Sequence, residues 1–352
     1  MTRMTVTSID QAGVAARGSG PRRRVCAAFA AAALATMITA GCAGTPERAA
    51  PVTRSATAVA GAATPVAGAA TASCAPARPA PSAAGTQAFR YGGGDRSYLL
   101  ALPDGYRGTT ASPLVFDFHG FGGSVRDQEA STLLAATGTA RGYIVVTPAA
   151  LGDPTKWNIL GTDGAADDYG FAHALLTDLT SRLCVDPDRI YAAGHSNGGA
   201  FAGLLACRPP FPFAAVALVS GTPPSTCPAA AVAAGSGPSV LAINGTADTT
   251  APYADNVNRL DTFVQSYGCR PASGPTTLMV GVSQRRDLGC AGAGAAGRDI
   301  EVDLVTVDGG THVWPGGPAA SSDRPSAVGN SAAGRTFPAT QAVLDFFDHH
   351  RR

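Results

Sequence analysis

From about residue 87 onward, short apolar runs alternate with longer amphipathic stretches, and this alternation constrains the fold more than any other feature. Seven of the apolar runs are typical of strands: "RSYLLALP", "PLVFDFHG", "YIVVTP", "RIYAAGH", "AAVALVSG", "SVLAINGT" and "IEVDLVTV". Helical patterns lie among them at about 126–138, 168–184, 197–207, 254–267 and 338–350. Strands that are apolar on both faces and separated by helices predict an α/β fold with a mostly parallel central sheet flanked by helices.

The N-terminus carries the pattern of an export signal. Three arginines at 22–24 precede an uncharged run of 16 residues at 25–40, which is shorter than the roughly 20 residues of a membrane span. The "TAGC" that follows resembles a bacterial lipoprotein box, in which the signal is cleaved before a cysteine, here Cys42, that is then acylated. We therefore predict a lipoprotein-type signal peptide at residues 1–41. Cleavage by ordinary signal peptidase and a retained anchor are the alternatives.

Residues 42–85 and 86–352 differ in composition. The first stretch is rich in Ala, Pro, Thr and Ser with little apolar periodicity, which predicts a flexible tether. The second carries the strand and helix patterns and predicts a single domain. Because 45% of the chain is apolar and its formal net charge is only +1, a sizeable core is available and no nucleic-acid partner is expected. We expect an exported monomer, extracellular or at the cell surface, that meets a membrane only through a lipid on Cys42.

Export gives the cysteines a meaning, because disulfides form in oxidising compartments. Setting aside Cys26 in the signal and Cys42 at the lipid site leaves Cys74, Cys184, Cys207, Cys227, Cys269 and Cys290. Six cysteines allow 15 pairings, and spacing alone cannot choose among them. Local pairing favours Cys207 with Cys227 and Cys269 with Cys290, which leaves Cys74 for Cys184. Buried free thiols are the alternative, and without a C-x-x-C motif or clustered histidines no metal site is expected.

The segment "IYAAGHSNGG" changes from a strand pattern to a helix pattern at Ser196. Gly194 and Gly198 flank this serine in a G-x-S-x-G arrangement, and a side chain at either position would collide in a sharp strand-to-helix turn. The turn exposes the serine beside the backbone N–H groups of a helix start. The bare pattern is weak evidence in a chain with 43 glycines, and a structural turn serine is the alternative. The strand before it and the helix after it favour a nucleophile.

A serine nucleophile needs a base and a carboxylate, and both are expected after later strands. Among six histidines, His312 is the expected base, because it lies in the Gly-rich loop "GGTHVWPGG" after the last strand. Asp248, which follows "SVLAIN", is the expected carboxylate, with Asp255, Asp261 and Asp308 as competitors. The resulting chain order of Ser, Asp and His is that of an α/β-hydrolase.

The other five histidines are given no part in proton transfer. His195 adjoins the serine but should point away across the turn, and His173 lies within a helix pattern. His349 and His350 end the terminal helix and are expected to be solvated. His119 belongs to "FHGFGGS", where we expect it to support the loop and line the substrate site.

Donors for the oxyanion are expected from the backbone amides of Phe121 and Asn197. The glycines of "FHGFGGS" let the backbone approach a ligand closely. A phosphate-binding loop is the rival interpretation, but no G-K-[ST] follows. Trp157 and Trp314 are expected to stack on an aromatic acyl group or a sugar ring, or else to pack the walls of the cleft.

The motifs "GHSNGG", "HGFGGS", "NGTADTTAPY" and "GGTHVWPGG", with "ADDYGFAHALLTDLTSRLCVDPDRIY" before the serine, resemble the exported polyhydroxybutyrate depolymerase and feruloyl esterase branch of the α/β-hydrolases. The resemblance covers nearly all of residues 90–350. It implies an α/β-hydrolase fold with Ser196 as nucleophile, His312 as base and Asp248 as acid, and disulfides of the kind proposed above. His195 departs from the Leu or Phe that many relatives carry before the nucleophile.

Taken together, these residues predict an exported serine esterase that works through an acyl-enzyme with no cofactor and no metal. The expected substrates are polysaccharide-linked feruloyl or acetyl esters, or related small esters. One alternative is a polyhydroxyalkanoate depolymerase. The alternative from another class is a catalytically silent binding protein at the cell surface.

Overall fold

The computed structural model covers most of the predicted domain. It describes residues 72–79, 85–162, 164–208, 211–221, 237–271, 274–290, 300–321 and 325–352, all within one compact unit, Pro65–Arg352. The predicted signal peptide and Cys42 lie outside the described residues. Among the helices that are described, none has the length and apolarity needed to cross a membrane.

Ten strands of the described chain form one sheet. They are β1 (Gly85–Tyr91), β2 (Gly94–Ala101), β3 (Ser112–Phe118), β4 (Ile144–Pro148), β5 (Val185–His195), β6 (Ala215–Val219), β7 (Ser239–Gly245), β8 (Thr276–Met279), β9 (Val282–Asp287) and β10 (Val302–Val307). Their order across the sheet is β1-β2-β4-β3-β5-β6-β7-β10-β9-β8. The six central strands, β4, β3, β5, β6, β7 and β10 in sheet order, are parallel to one another. The two outer strands on each side pair antiparallel to their neighbours. The predicted mostly parallel sheet is confirmed.

Helices cover both faces of this sheet. Those described are α1 (Val125–Thr132), α2 (Leu134–Ala140), α3 (Asp168–Arg182), α4 (Asn197–Ala206), α5 (Tyr253–Ser266), α6 (Ala332–Thr336) and α7 (Ala339–His349). The single helix predicted at 126–138 is wrong, because it is divided at Leu133, whose φ of 54° is left-handed and caps α1. Apolar periodicity continues through such a residue and does not reveal the break.

Successive side chains of each central strand point into two cores in turn, one on each face of the sheet. This explains why the sequences of these strands are apolar throughout. In β3, Leu114 and Phe116 face a core shared with α3, α4 and α5. Val115, between them, faces the opposite core with α2 and α7. All three side chains are fully buried. Side chains of a strand point to opposite faces in turn, so a strand covered on both faces has no polar side.

Three strands at or next to the edges, β1, β8 and β9, extend the sheet beyond the seven predicted strands. In β1, half-buried and exposed residues alternate along the strand, and β9 has the polar sequence "VSQRRD". β1 and β8 each pair with one neighbour, whereas β9 lies between β10 and β8, and few side chains of these three strands are fully buried. Their sequences therefore lack the apolar run by which the central strands were recognised.

Two of the predicted disulfides are present. Cys74 is bonded to Cys184 and Cys269 to Cys290. Cys207 also takes part in a disulfide, but its expected partner Cys227 lies outside the described residues. The disulfides fit an exported protein.

Residues 72–79, at the end of the predicted tether, pack on the domain. The amide of Cys74 donates to the carbonyl of Thr109 at 3.0 Å. Arg78 Nη1 donates to the carbonyl of Thr180 at 2.6 Å. These contacts, with the Cys74–Cys184 disulfide, fix this short segment beside the amino ends of β3 and β5.

Candidate active site

Ser196 lies at the turn between β5 and α4, with φ 56° and ψ −120°. Its amide donates to the carbonyl of Val219 on β6 at 2.9 Å, and its carbonyl accepts from Ala200 at 2.9 Å. A positive φ is unfavourable for a residue with a side chain and persists only where the surroundings enforce it. The surrounding sheet and helix therefore hold the serine in a strained turn, with its hydroxyl presented at the carboxyl end of the strand.

Two glycines make this turn possible. A methyl group on Gly194 would lie 2.4 Å from the carbonyl carbon of Gly198, and one on Gly198 would lie 2.1 Å from the carbonyl oxygen of Phe118. Both distances are far shorter than a carbon atom tolerates. The G-x-S-x-G spacing thus has the steric cause expected from the sequence.

Three strand ends bring Ser196, His312 and Asp248 together. Ser196 Oγ lies 2.8 Å from His312 Nε2, and His312 Nδ1 lies 2.7 Å from Asp248 Oδ2. With Nδ1–H donating to the carboxylate, Nε2 is free to accept the serine proton. The residues come from β5 and from the loops after β7 and β10, whose carboxyl ends share one edge of the sheet.

The carboxylate of Asp248 is buried, and the protein supplies its hydrogen bonds. Its second oxygen, Oδ1, accepts from the amides of Thr250 at 2.9 Å and Ala251 at 2.8 Å. Burial pushes the pKa of Asp248 upward, but the hydrogen bonds from His312 and the two amides outweigh it, so the pKa lies below its ordinary value. Asp248 is therefore a carboxylate at neutral pH. The competitor Asp261 instead pairs with Arg285 at 2.6 Å.

The histidines outside this group have other surroundings. The ring of His195 lies beside that of His312, with centroids 5.0 Å apart. Burial, and then the nearby His312, lower the pKa of His195 to about 3, so it is uncharged at neutral pH. His350 is 8% exposed and lies 3.2 Å from Glu301. Its predicted solvation is wrong, because the ring packs on Phe346 and pairs with Glu301, and the residue's carbonyl accepts from Tyr191 on β5.

His119 supports the loop that follows β3. Its Nε2 accepts from the amide of Ala150 at 3.1 Å, and its Nδ1 lies 2.8 Å from the carbonyl of Gly120. Burial lowers its pKa, so the neutral ring donates from Nδ1 and accepts at Nε2. Both nitrogens are bonded within the protein. The ring borders the cleft, but it has no nitrogen left for a substrate.

The loop carrying Phe121 lies directly against Ser196. A methyl group on Gly120 would lie 3.4 Å from Cβ of Ser196. Within the part of the chain that the structure describes, the amides of Phe121 and Asn197 donate to no protein acceptor. Asn197 begins α4, where such unpaired N–H groups are expected and favour negative charge. Both amides are therefore available beside Ser196.

A family model described as "Esterase PHB depolymerase" matches residues 96–273, just over half of the chain. The chain belongs to this PHB depolymerase esterase family. "Putative esterase NocK" of Nocardia uniformis subsp. tsuyamanensis is 31% identical over 348 residues, which cover 89% of this chain and 96% of that protein. Feruloyl esterase C of Emericella nidulans is 30% identical over 231 residues, 64% of this chain and 80% of that protein. The chain is a serine ester hydrolase.

Solved structures agree on the fold. The acetyl xylan esterase from Aspergillus awamori superposes with a TM-score of 0.50 at 15% identity, over 65% of this chain and 94% of that one. A thermostable esterase gives a TM-score of 0.50 at 16% identity, over 76% and 63%. At this level of identity the likeness concerns the fold alone. The predicted α/β-hydrolase fold is confirmed.

An open cleft of about 330 Å³ lies over the serine of this esterase. The loop at 119–123, the side chains of Gln128 and Thr132 on α1, and residues 312–314 line it. Phe121 stands at its mouth with a 60% exposed side chain. Trp314 borders the cleft, but it is 1% exposed and its Nε1 donates to Thr340 at 2.9 Å, so it forms the wall.

The expectation that Trp157 stacks on substrate is corrected. Its ring is 1% exposed and stacks on Phe201 at 4.9 Å, with Phe118 packed at its edge at 5.1 Å. Neighbouring aromatic rings therefore already cover it. Trp157 instead borders a second, mostly apolar cavity of about 450 Å³, which is also lined by Asn197, the residue after Ser196.

A buried carboxyl group under the cleft was not predicted from the sequence. Asp117 on β3 accepts from Gln128 Nε2 at 2.6 Å and from Thr132 Oγ1 at 3.0 Å, which ties α1, the side of the cleft, to the sheet. Burial first, and then the charge of Glu129, raise the pKa of Asp117 to about 8. The letters "FDF" in a buried strand were the available signal, since a charged residue there needs partners.

Proposed function

We propose that Ser196, His312 and Asp248 are the catalytic triad of an exported esterase for polysaccharide-linked feruloyl or acetyl esters or related small esters. The observation that carries the proposal is the hydrogen-bonded series from Ser196 through His312 to Asp248 at the base of an open cleft. The family gives the reaction class, and the geometry supports the three proposed roles.

The reaction proceeds in two steps. Ser196 Oγ attacks the ester carbonyl while its proton passes to His312 Nε2, and the amides of Phe121 and Asn197 donate to the developing oxyanion. His312 then gives this proton to the departing alcohol oxygen as the ester bond breaks. In the second step, a water attacks the acyl-enzyme, its proton again passing to His312, and the acid leaves as that proton returns to Ser196. Asp248 stabilises the imidazolium in both steps.

Feruloyl and acetyl esters are the favoured substrates because several relatives are named feruloyl esterases. An open cleft lined by the accessible Asp127 and Ser131 beside the exposed ring of Phe121 offers polar and apolar contacts to an acyl-sugar. A polyhydroxyalkanoate depolymerase is the second candidate, favoured by the description of the family model. The exposed Leu160, 81% accessible, adds apolar surface that suits a polyester.

Two measurements test this proposal on one preparation. Turnover of p-nitrophenyl butyrate should vanish in Ser196→Ala and remain in the matched control Ser266→Ala, which loses an exposed helical hydroxyl. A panel of methyl ferulate, acetylated xylan and short hydroxybutyrate oligomers then separates the substrate classes. A preference above about 100-fold, roughly 2.7 kcal/mol of differential transition-state binding, decides between them. Full turnover in Ser196→Ala would refute the triad, and binding without cleavage of any ester would favour a silent binding protein.

Export rests on the N-terminal pattern and on the disulfides. The proposed arrangement is a lipoprotein-type signal at 1–41, a lipid on Cys42, a tether from 42 that ends before the packed residues 72–79, and a monomeric domain. Expression of the full chain in a bacterium with a lipoprotein pathway should give acylated protein in the membrane fraction. Cys42→Ser should lose the acyl group. An unacylated wild-type protein, released in full to the medium, would instead favour ordinary signal peptidase.

A further inference from the structure

The two proposed oxyanion donors lie on different elements, and a third segment is bonded to both. Phe121 belongs to the loop after β3, whereas Asn197 begins α4. The third segment, residues 155–157 in the loop after β4, is called the brace below. The hydrogen bonds of the brace to the Phe121 loop and to the start of α4 set the distance between the two donors.

On the side of Phe121, the brace holds the glycine loop through Thr155. The amide of Gly122 donates to the carbonyl of Thr155 at 2.7 Å. Thr155 Oγ1 donates to the carbonyl of Gly123 at 2.6 Å. Gly122 has a φ of 67°. Glycine adopts positive and negative φ values about equally readily, so this residue does not hold its conformation by itself. Two hydrogen bonds from one residue thus fix the backbone next to the Phe121 amide.

On the side of the nucleophile, the brace is held by the side chain of Asn197. Asn197 Oδ1 accepts from the amide of Trp157 at 2.7 Å, and its Nδ2 donates to the carbonyl of Trp157 at 3.2 Å. The Trp157 ring stacks on Phe201 in α4 and donates from Nε1 to the carbonyl of His119 at 2.9 Å. Asn197 therefore leaves its backbone amide unpaired at the start of α4, within the described chain, and uses its side chain to bind the brace.

We propose that Thr155 and the side chain of Asn197 are positioning residues, which fix the distance between the two oxyanion donors through the brace. The inference rests on the proposed role of the Phe121 and Asn197 amides. An oxyanion hole is effective only while its donors remain at hydrogen-bond distance from the developing charge. Loosening the brace lets the glycine loop move and weakens transition-state binding, while the ester still binds in the ground state.

Thr155→Val tests the first residue, because it removes the hydroxyl but keeps the shape and the backbone bond to Gly122. We expect kcat to fall about tenfold with KM within about twofold, since a displaced donor costs less than the 10²–10³-fold of a deleted one. Thr155→Ser keeps the hydroxyl and should restore most of kcat. The control Thr177→Val, which loses an equivalent hydroxyl bonded to a backbone carbonyl in α3, should match the wild type.

Asn197→Ala tests the second residue, because it removes both bonds to Trp157 and leaves the backbone amide in place. We expect kcat to fall about 10–50-fold. Inhibition by n-butylboronic acid, whose tetrahedral serine adduct places an oxygen in the hole, should weaken in proportion to kcat/KM. Thermal unfolding of each variant separates this effect from a loss of fold.

Two results would overturn the inference. One is a folded Thr155→Val and a folded Asn197→Ala with wild-type kcat. The other is a Thr155→Ser variant as impaired as Thr155→Val. Neither affects the triad, which Ser196→Ala tests separately, because an inactive Ser196→Ala with a fully active Thr155→Val rejects only the brace.

Discussion

Replacing Asp248 with asparagine tests the proposed triad at its least exposed member. The carboxylate accepts three hydrogen bonds, one from His312 Nδ1 and two from backbone amides. In Asp248→Asn, the amide oxygen can keep the two backbone donors, which turns Nδ2 toward His312. The ring must then accept at Nδ1 and carry its proton on Nε2, the atom 2.8 Å from Ser196 Oγ. An Nε2 that is already protonated cannot take the proton of the serine.

The expected cost is about 10⁴-fold in kcat/KM, or about 5.4 kcal/mol of transition-state stabilisation. Hydrolysis of p-nitrophenyl butyrate at pH 7.5 measures it, and circular dichroism checks the fold. The control is Asp255→Asn, on the first turn of α5, which should stay within about twofold of the wild type. A folded Asp248→Asn that keeps a tenth or more of wild-type kcat/KM would refute the reasoning.

Three further predictions concern the base, a buried acid and a disulfide. His312→Ala should lose about 10³-fold or more in kcat, whereas His195→Phe should stay within about tenfold; the reverse order would make His195 the base. Burial raises the pKa of Asp117 to about 8. The contribution of this group to the free energy of unfolding is therefore fully present below its unfolded-state pKa of about 4 and is lost as the pH rises through 8. The loss is up to about 1.4 kcal/mol per pH unit. Urea unfolding at pH 6 and pH 9 should therefore show a smaller pH effect in Asp117→Asn, and an unchanged effect would contradict this. Removing Cys74 and Cys184, 110 residues apart in sequence, should lower stability by about 4–5 kcal/mol without changing kcat, and an unchanged Tm would be the contrary result.

The central fold followed from the sequence because its buried strands are apolar on both faces. The polar strands at or next to the edges did not, since a strand such as β9, which pairs with β10 and β8, has a charged sequence without an apolar run. The break at Leu133 was invisible for a related reason. One residue with a left-handed backbone changes the direction of the chain without interrupting the apolar pattern.

Like the fold, the site has residues that could be predicted from the sequence and residues that could not. Ser196, Asp248 and His312 were predictable as a group because each follows a strand and the carboxyl ends of parallel strands meet at one edge. Thr155 was not, because its hydroxyl bonds a backbone carbonyl 32 residues away and no motif encodes that contact. Trp157 was misjudged, since a sequence does not say whether an aromatic ring faces a cleft or other rings.

The most direct test of the account is to locate the acyl group during turnover. The wild-type enzyme is mixed with p-nitrophenyl butyrate, quenched in acid within milliseconds, digested and analysed by mass spectrometry. The account predicts one butyryl group on the peptide containing Ser196 and none in Ser196→Ala. Two results would contradict it. One is a butyryl group on a different residue of the wild-type enzyme. The other is a Ser196→Ala variant that forms no acylated peptide and still hydrolyses the ester as fast as the wild type.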